Sequence, residues 1–235
     1  AARAVERARL CRRRHHHSPA LARRAECHDR VRLHGLRRAG DAADPALLRA
    51  AALECENAAR AVAGVTNSEG AGASAGRSIF ALATSHGFAG VKSGSGYGMS
   101  ASVLSGDGDA KERDYDWRTT RHLADLDSPF NIGTRAGERA VKRLNPGTVK
   151  SGQIPVVFDP RVGGSFVGHL LGGIGGSSIA RKASFLLESL GAQLFDSSIS
   201  IVDDPHRMRG LGSRAFDGEG LPTARRSIIE NGVLT

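Results

Sequence analysis

The chain has 235 residues, with 33 Lys or Arg against 24 Asp or Glu, and a formal charge of +9. All of this excess lies in residues 1–40, which hold 12 Arg and 3 acidic residues, while the other 195 residues are electrically balanced. A nucleic-acid-binding surface spread over the whole chain is therefore excluded. Three cysteines without a CxxC motif exclude a disulfide scaffold and a zinc ribbon, and they favour a reducing compartment.

Residues 1–43 are expected to be a disordered, Arg-rich segment, because only 6 of the first 40 residues are Val, Leu, Ile or Phe. They contain no continuous apolar stretch, so no secretory signal is expected. Two other interpretations stay open. One is a basic arm for nucleic acid or an anionic membrane, and the other is a GC-rich gene segment read out of frame.

A helix is predicted to begin at Asp44-Pro45, since Asp suits the N-cap and Pro suits the first helical position. Its apolar residues recur at helical spacing up to Gly64, and they include Cys55, which we interpret as a small core residue. An antiparallel meander is predicted over residues 66–120. Its predicted strands are 79–84, 97–103 and a polar outer strand, 111–118.

The second half of the chain is predicted to alternate helices with short strands. The predicted elements are a helix over 132–144, a buried strand over 154–158, a glycine-rich helix, a further helix and a strand over 199–202. Residues 162–180 are long enough to span a bilayer and contain no charged side chain. Seven of these residues are glycine, which weakens both the helix and its hydrophobicity, so close packing against another backbone is favoured over a membrane span.

Few side chains are candidates for chemistry. Residues 72–76 match the GxSxG motif around Ser74, but a polar segment precedes it and a strand pattern follows it, which disfavours serine hydrolysis. His169 stands alone on the glycine-rich helix. Asp203, Asp204 and His206 follow a strand and could hold a metal, although turn capping is the favoured interpretation. Asp217 is interpreted in the same way.

From Gly64 onward the chain resembles the TldD/PmbA family, in particular its PmbA (TldE) branch. The segments that carry the resemblance are TNSEGA (66–71), ERDY (112–115), VVFDPRVGGSFVGHLLGGIGGSSIARKASFL (156–186), IVDDPHRMRGLGSRAFDGEG (201–220) and SIIENGVL (227–234). The resemblance covers about residues 44–235. It implies a cytoplasmic peptidase system, once labelled modulator of DNA gyrase, in which a zinc-carrying TldD-type subunit pairs with a PmbA-type subunit to cut small, unstructured peptides.

The resemblance also places the family's zinc motif, HExxxH, on the glycine-rich helix. When Arg181-Lys182 is used as the anchor, the two histidine ligands fall at Gly168 and Gly173 and the glutamate at His169. Glycine has no side chain to ligate zinc, and a histidine does not replace a glutamate that activates metal-bound water. We therefore expect no zinc in this chain, zinc in a TldD-type partner, and no catalytic residue here.

These considerations predict an α+β fold in three parts. They are the segment 1–43, a partial N-terminal domain (44–150) with a helix and a meander, and the start of a mixed C-terminal domain (151–235). The resemblance places the family's cysteine ligand beyond Thr235 and implies a chain roughly twice as long, so this chain is interpreted as a fragment. A truncated sheet exposes edge strands, and we therefore expect the chain to aggregate when expressed alone. Five residues are candidates for a peptide channel or a structural role: Arg181, Lys182, Asp203, Asp204 and His206.

Overall fold

The computed structural model describes residues 44–235, and the Arg-rich segment 1–43 lies outside the described residues. The described chain forms two compact units. The first contains residues 44–147 and 205–224, and the second contains residues 148–204 and 225–235. The sequence interpretation placed residues 205–224 in the second domain, whereas by compactness they group with the first unit.

The first unit is a three-stranded antiparallel sheet with two helices on one face. Its elements are α1 (Pro45–Arg60), β1 (Val65–Ala83), β2 (Ala89–Ser105), β3 (Glu112–Thr120) and α2 (Pro129–Lys142). The strand order is β1-β2-β3, which confirms the predicted meander and its outer strand. Asp44 caps α1 by accepting a hydrogen bond from the Ala46 N–H at 2.8 Å, as predicted.

Strand β1 is much longer than the predicted strand over 79–84, because its Gly- and Ser-rich half pairs with β2 along its whole length. Ala71 and Ala73 pack against the core, while the alternating positions Gly72, Ser74 and Gly76 are exposed. A strand with glycine and serine on one face and alanine on the other shows no clear hydrophobic alternation. For this reason the sequence pattern underestimated the length of β1.

The core of the first unit is built from small and medium side chains between the sheet and the helices. Its buried members are Cys55, Ala59, Met99, Ala101, Val103, Ile132, Ala136 and Ala140. Burial, together with the nearby carboxylates of Asp116 and Glu54, raises the pKa of the Cys55 thiol to about 11. The interpretation of Cys55 as a core residue is confirmed.

Helices α1 and α2 approach closely because two glycines of α2 face the backbone of α1. A Cβ on Gly137 would lie 2.7 Å from the Ala59 carbonyl oxygen, and a Cβ on Gly133 would collide with the Cys55 carbonyl. Any side chain at either position would push the helices apart. Close backbone packing at glycine was predicted for the glycine-rich helix farther along the chain, but the structure shows it here.

Strand β3 turns its carboxylates inward and its aromatic rings outward. Asp116 is only 5% exposed, whereas Trp117 is 53% exposed. Asp116 Oδ2 accepts a hydrogen bond from Arg135 Nε at 2.7 Å, its Oδ1 accepts one from Arg139, and the bond to Asp116 raises the pKa of Arg135. Arg143, the C-cap residue of α2, lies 3.8 Å from Asp114, which is also buried. Ion pairs between buried carboxylates and partly exposed arginines therefore join α2 to the edge strand.

The second unit contains two helices and a small antiparallel sheet. Its elements are α3 (Pro160–Ile174), α4 (Gly176–Ala180), β4 (Ile201–Asp203), β5 (Arg226–Glu230) and β6 (Val233–Leu234). Strands β5 and β6 form a hairpin at Asn231-Gly232, where both φ angles are positive, as a type I′ turn requires. The buried core consists of Leu170, Leu186, Ile228, Ile229 and Leu234.

The predicted buried strand over residues 154–158 is wrong. These residues form neither helix nor strand, and Val157 is 96% exposed. Phe158 contacts Phe166 edge to face, with ring centroids 4.4 Å apart. Within residues 44–235 no strand pairs with this segment, so its backbone has no ladder to join.

We predict that Asp116→Asn lowers the free energy of unfolding of the first unit by about 1–3 kcal/mol, because it removes the charge of a buried carboxylate that accepts hydrogen bonds from two partly exposed arginines. Urea unfolding followed by the fluorescence of Trp117, the single tryptophan of the sequence, measures this effect. The matched control is Glu69→Gln, which removes an exposed 3.4 Å ion pair with Arg113 and should cost about 0–1 kcal/mol. If both substitutions lowered the free energy of unfolding equally, the structural importance of the buried Asp116 carboxylate would be contradicted.

Candidate functional site

Helix α3 carries the positions that the sequence singled out for metal chemistry. Asp159 caps it by accepting a hydrogen bond from the Arg161 N–H at 2.8 Å, and Pro160 occupies the first turn. The helix stops at Ile174, because Gly175 adopts an extended conformation before α4 begins. Within the described residues no helix is long and apolar enough to cross a membrane.

One side of α3 presents bare backbone. Gly164, Gly168 and Gly172 repeat every four residues, so they share one side of the helix, and a Cβ at any of them would have no heavy atom within 4 Å. The prediction that this helix packs closely against another backbone is therefore wrong within the described chain. His169 directly follows Gly168 in the helix, and its side chain is exposed.

The opposite side of α3 is packed. Gly173 is buried, and a Cβ there would lie 3.1 Å from a methyl of Leu186 and 3.2 Å from the ring of Phe185. Its carbonyl oxygen accepts a hydrogen bond from Ser184 Oγ at 2.6 Å. Gly168 and Gly173, the two positions equivalent to the family's histidine ligands, therefore differ in surroundings, one open and the other covered by side chains.

The residues present do not fit the zinc ion that the family resemblance implies. Two of the three motif positions have no side chain, and a tetrahedral zinc site needs nitrogen, sulfur or oxygen ligands from side chains. In residues 44–235 no three His, Cys, Asp or Glu side chains cluster closely enough to hold a metal ion. Among the described residues, His169 therefore belongs to no such cluster.

Arg181 and Lys182 form the C-terminal cap of α4. The Lys182 N–H donates to the Ile179 carbonyl at 2.9 Å, and the Ala183 N–H donates to the Ser178 carbonyl at 3.0 Å. These two bonds define a Schellman motif, in which the residue after the cap is left-handed. Lys182 occupies that position with φ 55°, where glycine is usual. The Arg-Lys pair thus has a structural role in ending the helix.

Asp203 and Asp204 lie in ion pairs with neighbouring arginines. Asp203 pairs with Arg226 across the β4–β5 ladder, with 3.3 Å between Oδ2 and Nε, and Asp204 lies 4.0 Å from Arg225. Exposed pairs of this kind contribute about 0–1 kcal/mol. The carboxylates support the small sheet of the second unit.

His206 belongs to the segment 205–224 of the first unit. Its Nε2 lies 3.2 Å from Thr223 Oγ1. Because the single hydroxyl proton of Thr223 is donated to the Arg214 carbonyl at 2.6 Å, the ring nitrogen is the donor. Asp217 closes a turn, as predicted, and hydrogen bonds from the Leu221 and Glu219 N–H groups lower its pKa.

Ser74 is not at a nucleophile elbow. It lies inside β1, opposite Gly98 of β2, and the strand continues for nine residues to Ala83. An elbow places its serine on a sharp turn between a strand and a helix. The structure therefore gives no support to the serine-hydrolase alternative.

Sequence reasoning missed the open side of α3 and the inward carboxylates of β3. Both had a signal in the spacing. Positions 164, 168 and 172 share a helix side, and Asp114 and Asp116 alternate on a strand while Arg135, Arg139 and Arg143 recur every four residues.

Comparison with known proteins gives a consistent result for both halves of the chain. Residues 39–144 match the PmbA/TldA metallopeptidase central domain, and residues 151–235 match the PmbA/TldA metallopeptidase C-terminal domain. A metalloprotease PmbA homologue from Haemophilus influenzae is 38% identical over 184 residues, which are 78% of this chain and 41% of the relative. The chain therefore spans about two fifths of that relative's length.

Solved structures share the fold. A proposed modulator of a DNA gyrase from Thermotoga maritima has a TM-score of 0.73 and 25% identity, over 79% of this chain and 43% of the other. TldE from Thermococcus kodakarensis has a TM-score of 0.68 and 22% identity, over 82% of this chain and 43% of the other. The second similarity concerns the fold alone.

We predict opposite effects of the same substitution at two helical glycines. Gly168→Ala should stabilise the second unit by about 0.5–1 kcal/mol, because alanine has the higher helix propensity and its Cβ meets nothing. Gly137→Ala should destabilise the first unit by about 1–3 kcal/mol, because its Cβ meets the Ala59 carbonyl. Calorimetric unfolding of both variants provides the measurement, and effects of the same sign would contradict the packing described above.

Proposed function

Because this chain belongs to the PmbA/TldA (TldD/PmbA) metallopeptidase family, we propose that it acts as a PmbA- or TldE-type subunit of a peptidase complex. In this proposal a TldD-type partner carries the zinc ion and cuts small, unstructured peptides in the cytoplasm. This chain supplies no catalytic residue and no metal ligand. Its similarity to a PmbA-named relative supports the assignment to this branch.

The observation that carries the proposal is the chemistry of the motif positions on α3. Gly168 and Gly173 offer no ligand atom, and His169 offers a base that is cationic when protonated. A hydrolytic zinc site needs three protein ligands and a group that activates the bound water. A chain with this set is suited to a supporting role beside a subunit that has the ligands.

We propose that this chain contributes to the peptidase complex through the open glycine side of α3. A row of glycines lets another backbone approach the helix axis more closely than any side chain allows. Gly164, Gly168 and Gly172 are free of neighbours within 4 Å in the described chain. In the complex this side would lie against a backbone of the TldD-type partner or the peptide, where it shapes the channel.

We expect an extended peptide to be held by strand addition, in which backbone hydrogen bonds give affinity without sequence preference. The described chain offers strands with one unpaired edge, since β1 and β3 each have a single neighbour in their sheet. A mode based on backbone bonds suits substrates that share no sequence.

The test of assembly is co-expression of the gene product that contains this chain with the TldD-type protein of the same organism. We expect the two to co-purify, with peptidase activity in the pair and in neither protein alone. Gly168→Leu and Gly172→Leu should weaken co-purification or activity, because they fill the open side of α3.

The matched control is Gly152→Leu, since Gly152 is also exposed with nothing within 4 Å but lies outside α3. It should leave assembly and activity unchanged. Peptidase activity of this chain without its partner would contradict the proposed function. If all three leucine variants co-purified with the partner and were active to the same extent, the proposed role of the glycine side of α3 would be contradicted. The proposal that the chain is a PmbA- or TldE-type subunit would not be affected.

We predict that peptides methylated on alternate backbone nitrogens bind the assembled complex at least about tenfold more weakly than their unmodified forms. Methylation removes the donors that a strand ladder needs while it retains the side chains. Competition against a fluorescent peptide measures the affinities. Equal binding of both forms would exclude strand addition.

A further inference from the structure

The segment 205–224 presents a methionine at the tip of an anchored loop. Met208 is 89% exposed, whereas Met99, the other methionine of the sequence, is 7% exposed in the core of the first unit. The two methionines of the sequence therefore differ strongly in their exposure to solvent.

Both neighbours of Met208 are held in place. Arg209 Nη1 lies 2.6 Å from Asp125 Oδ1, and its backbone is left-handed with φ 58°. The Arg207 carbonyl accepts hydrogen bonds from Ser213 Oγ at 2.6 Å and from the Gly210 N–H at 3.1 Å. These bonds fix the backbone on each side of Met208.

The base of the loop is anchored to the rest of the first unit as well. The Arg214 N–H donates to the Pro205 carbonyl at 2.9 Å, and Arg121 donates to the Leu211 carbonyl. Phe216 is buried and packs edge to face on Phe88, with centroids 5.0 Å apart. Met208 is therefore exposed by the loop's fixed conformation.

We propose that Met208 is a reversible oxidation site for hydroperoxides on this loop. A lone pair of the thioether sulfur attacks one oxygen of hydrogen peroxide and the O–O bond breaks, so the second oxygen leaves as hydroxide. The hydroxide takes the proton from the oxygen now bound to sulfur and becomes water. The sulfur is oxidised by two electrons to the sulfoxide and the peroxide is reduced by two. Methionine sulfoxide reductases reverse the change.

Oxidation changes what the loop presents. A flexible apolar side chain between two arginines becomes a polar group whose oxygen accepts hydrogen bonds. None of the anchoring bonds described above involves the Met208 side chain, so the fold should be retained. Oxidation of Met99 would instead place a polar group in the core, which is strongly destabilising.

The experiment treats the full chain with hydrogen peroxide and digests it with a protease that cleaves after glutamate. Met208 and Met99 then lie in separate fragments, 189–219 and 70–112, neither of which contains cysteine. Mass spectrometry follows the addition of one oxygen to each. We expect the fragment with Met208 to be oxidised at least about tenfold faster in the native chain, and both at equal rates in concentrated urea.

The control is Met208→Leu, which should abolish oxygen uptake by fragment 189–219. The singly oxidised native chain should unfold at the same urea concentration as the untreated chain, and a pair of sulfoxide reductases should restore the original mass. Equal native rates for the two methionines, faster oxidation of Met99, or unfolding caused by oxidation of Met208 would each overturn the proposal.

Discussion

The buried carboxylates of β3 and the arginines of α2 form the interaction on which the first unit depends. Asp116 is shared by Arg135 and Arg139, and Asp114 is approached by Arg143, so the edge strand and the helix match at repeating intervals. A buried carboxylate is costly to leave without its arginine partners, because its charge is then uncompensated. They fix which face of β3 turns inward, although Tyr115 and Trp117 on the other face are more hydrophobic.

The glycines divide into two groups with different physical roles. Gly133 and Gly137 bring two helices of one unit so close that a methyl group would not fit. Gly164, Gly168 and Gly172 share the same four-residue spacing, yet in the described chain a Cβ at any of them would meet nothing within 4 Å beyond the helix's own backbone. Spacing alone cannot tell these cases apart, because it specifies a helix side and not what covers it. For this reason the sequence predicted close packing for α3, whereas in the described chain it occurs between α1 and α2.

The sequence predicted elements wherever local chemistry decides the outcome, such as the cap at Asp44, the outer strand and the turn at Asp217. It failed where a distant partner decides. The strand predicted over 154–158 has no pairing partner in the described chain, and β1 was underestimated because its outer positions are Gly and Ser. The candidate site was reached through family resemblance and not through pattern, because glycine spacing marks one side of a helix without showing what binds there.

The positions of α3 that correspond to the zinc motif predict that this chain does not itself bind zinc. The direct measurement is zinc per protein, by elemental mass spectrometry, on the full chain purified without a histidine tag. His15, His16 and His17 are replaced by alanine so that they cannot bind the metal. The chain is first dialysed against zinc and then against zinc-free buffer. We predict that well under one zinc ion per chain remains bound. One tightly held zinc per chain, lost on His169→Ala, would contradict the account.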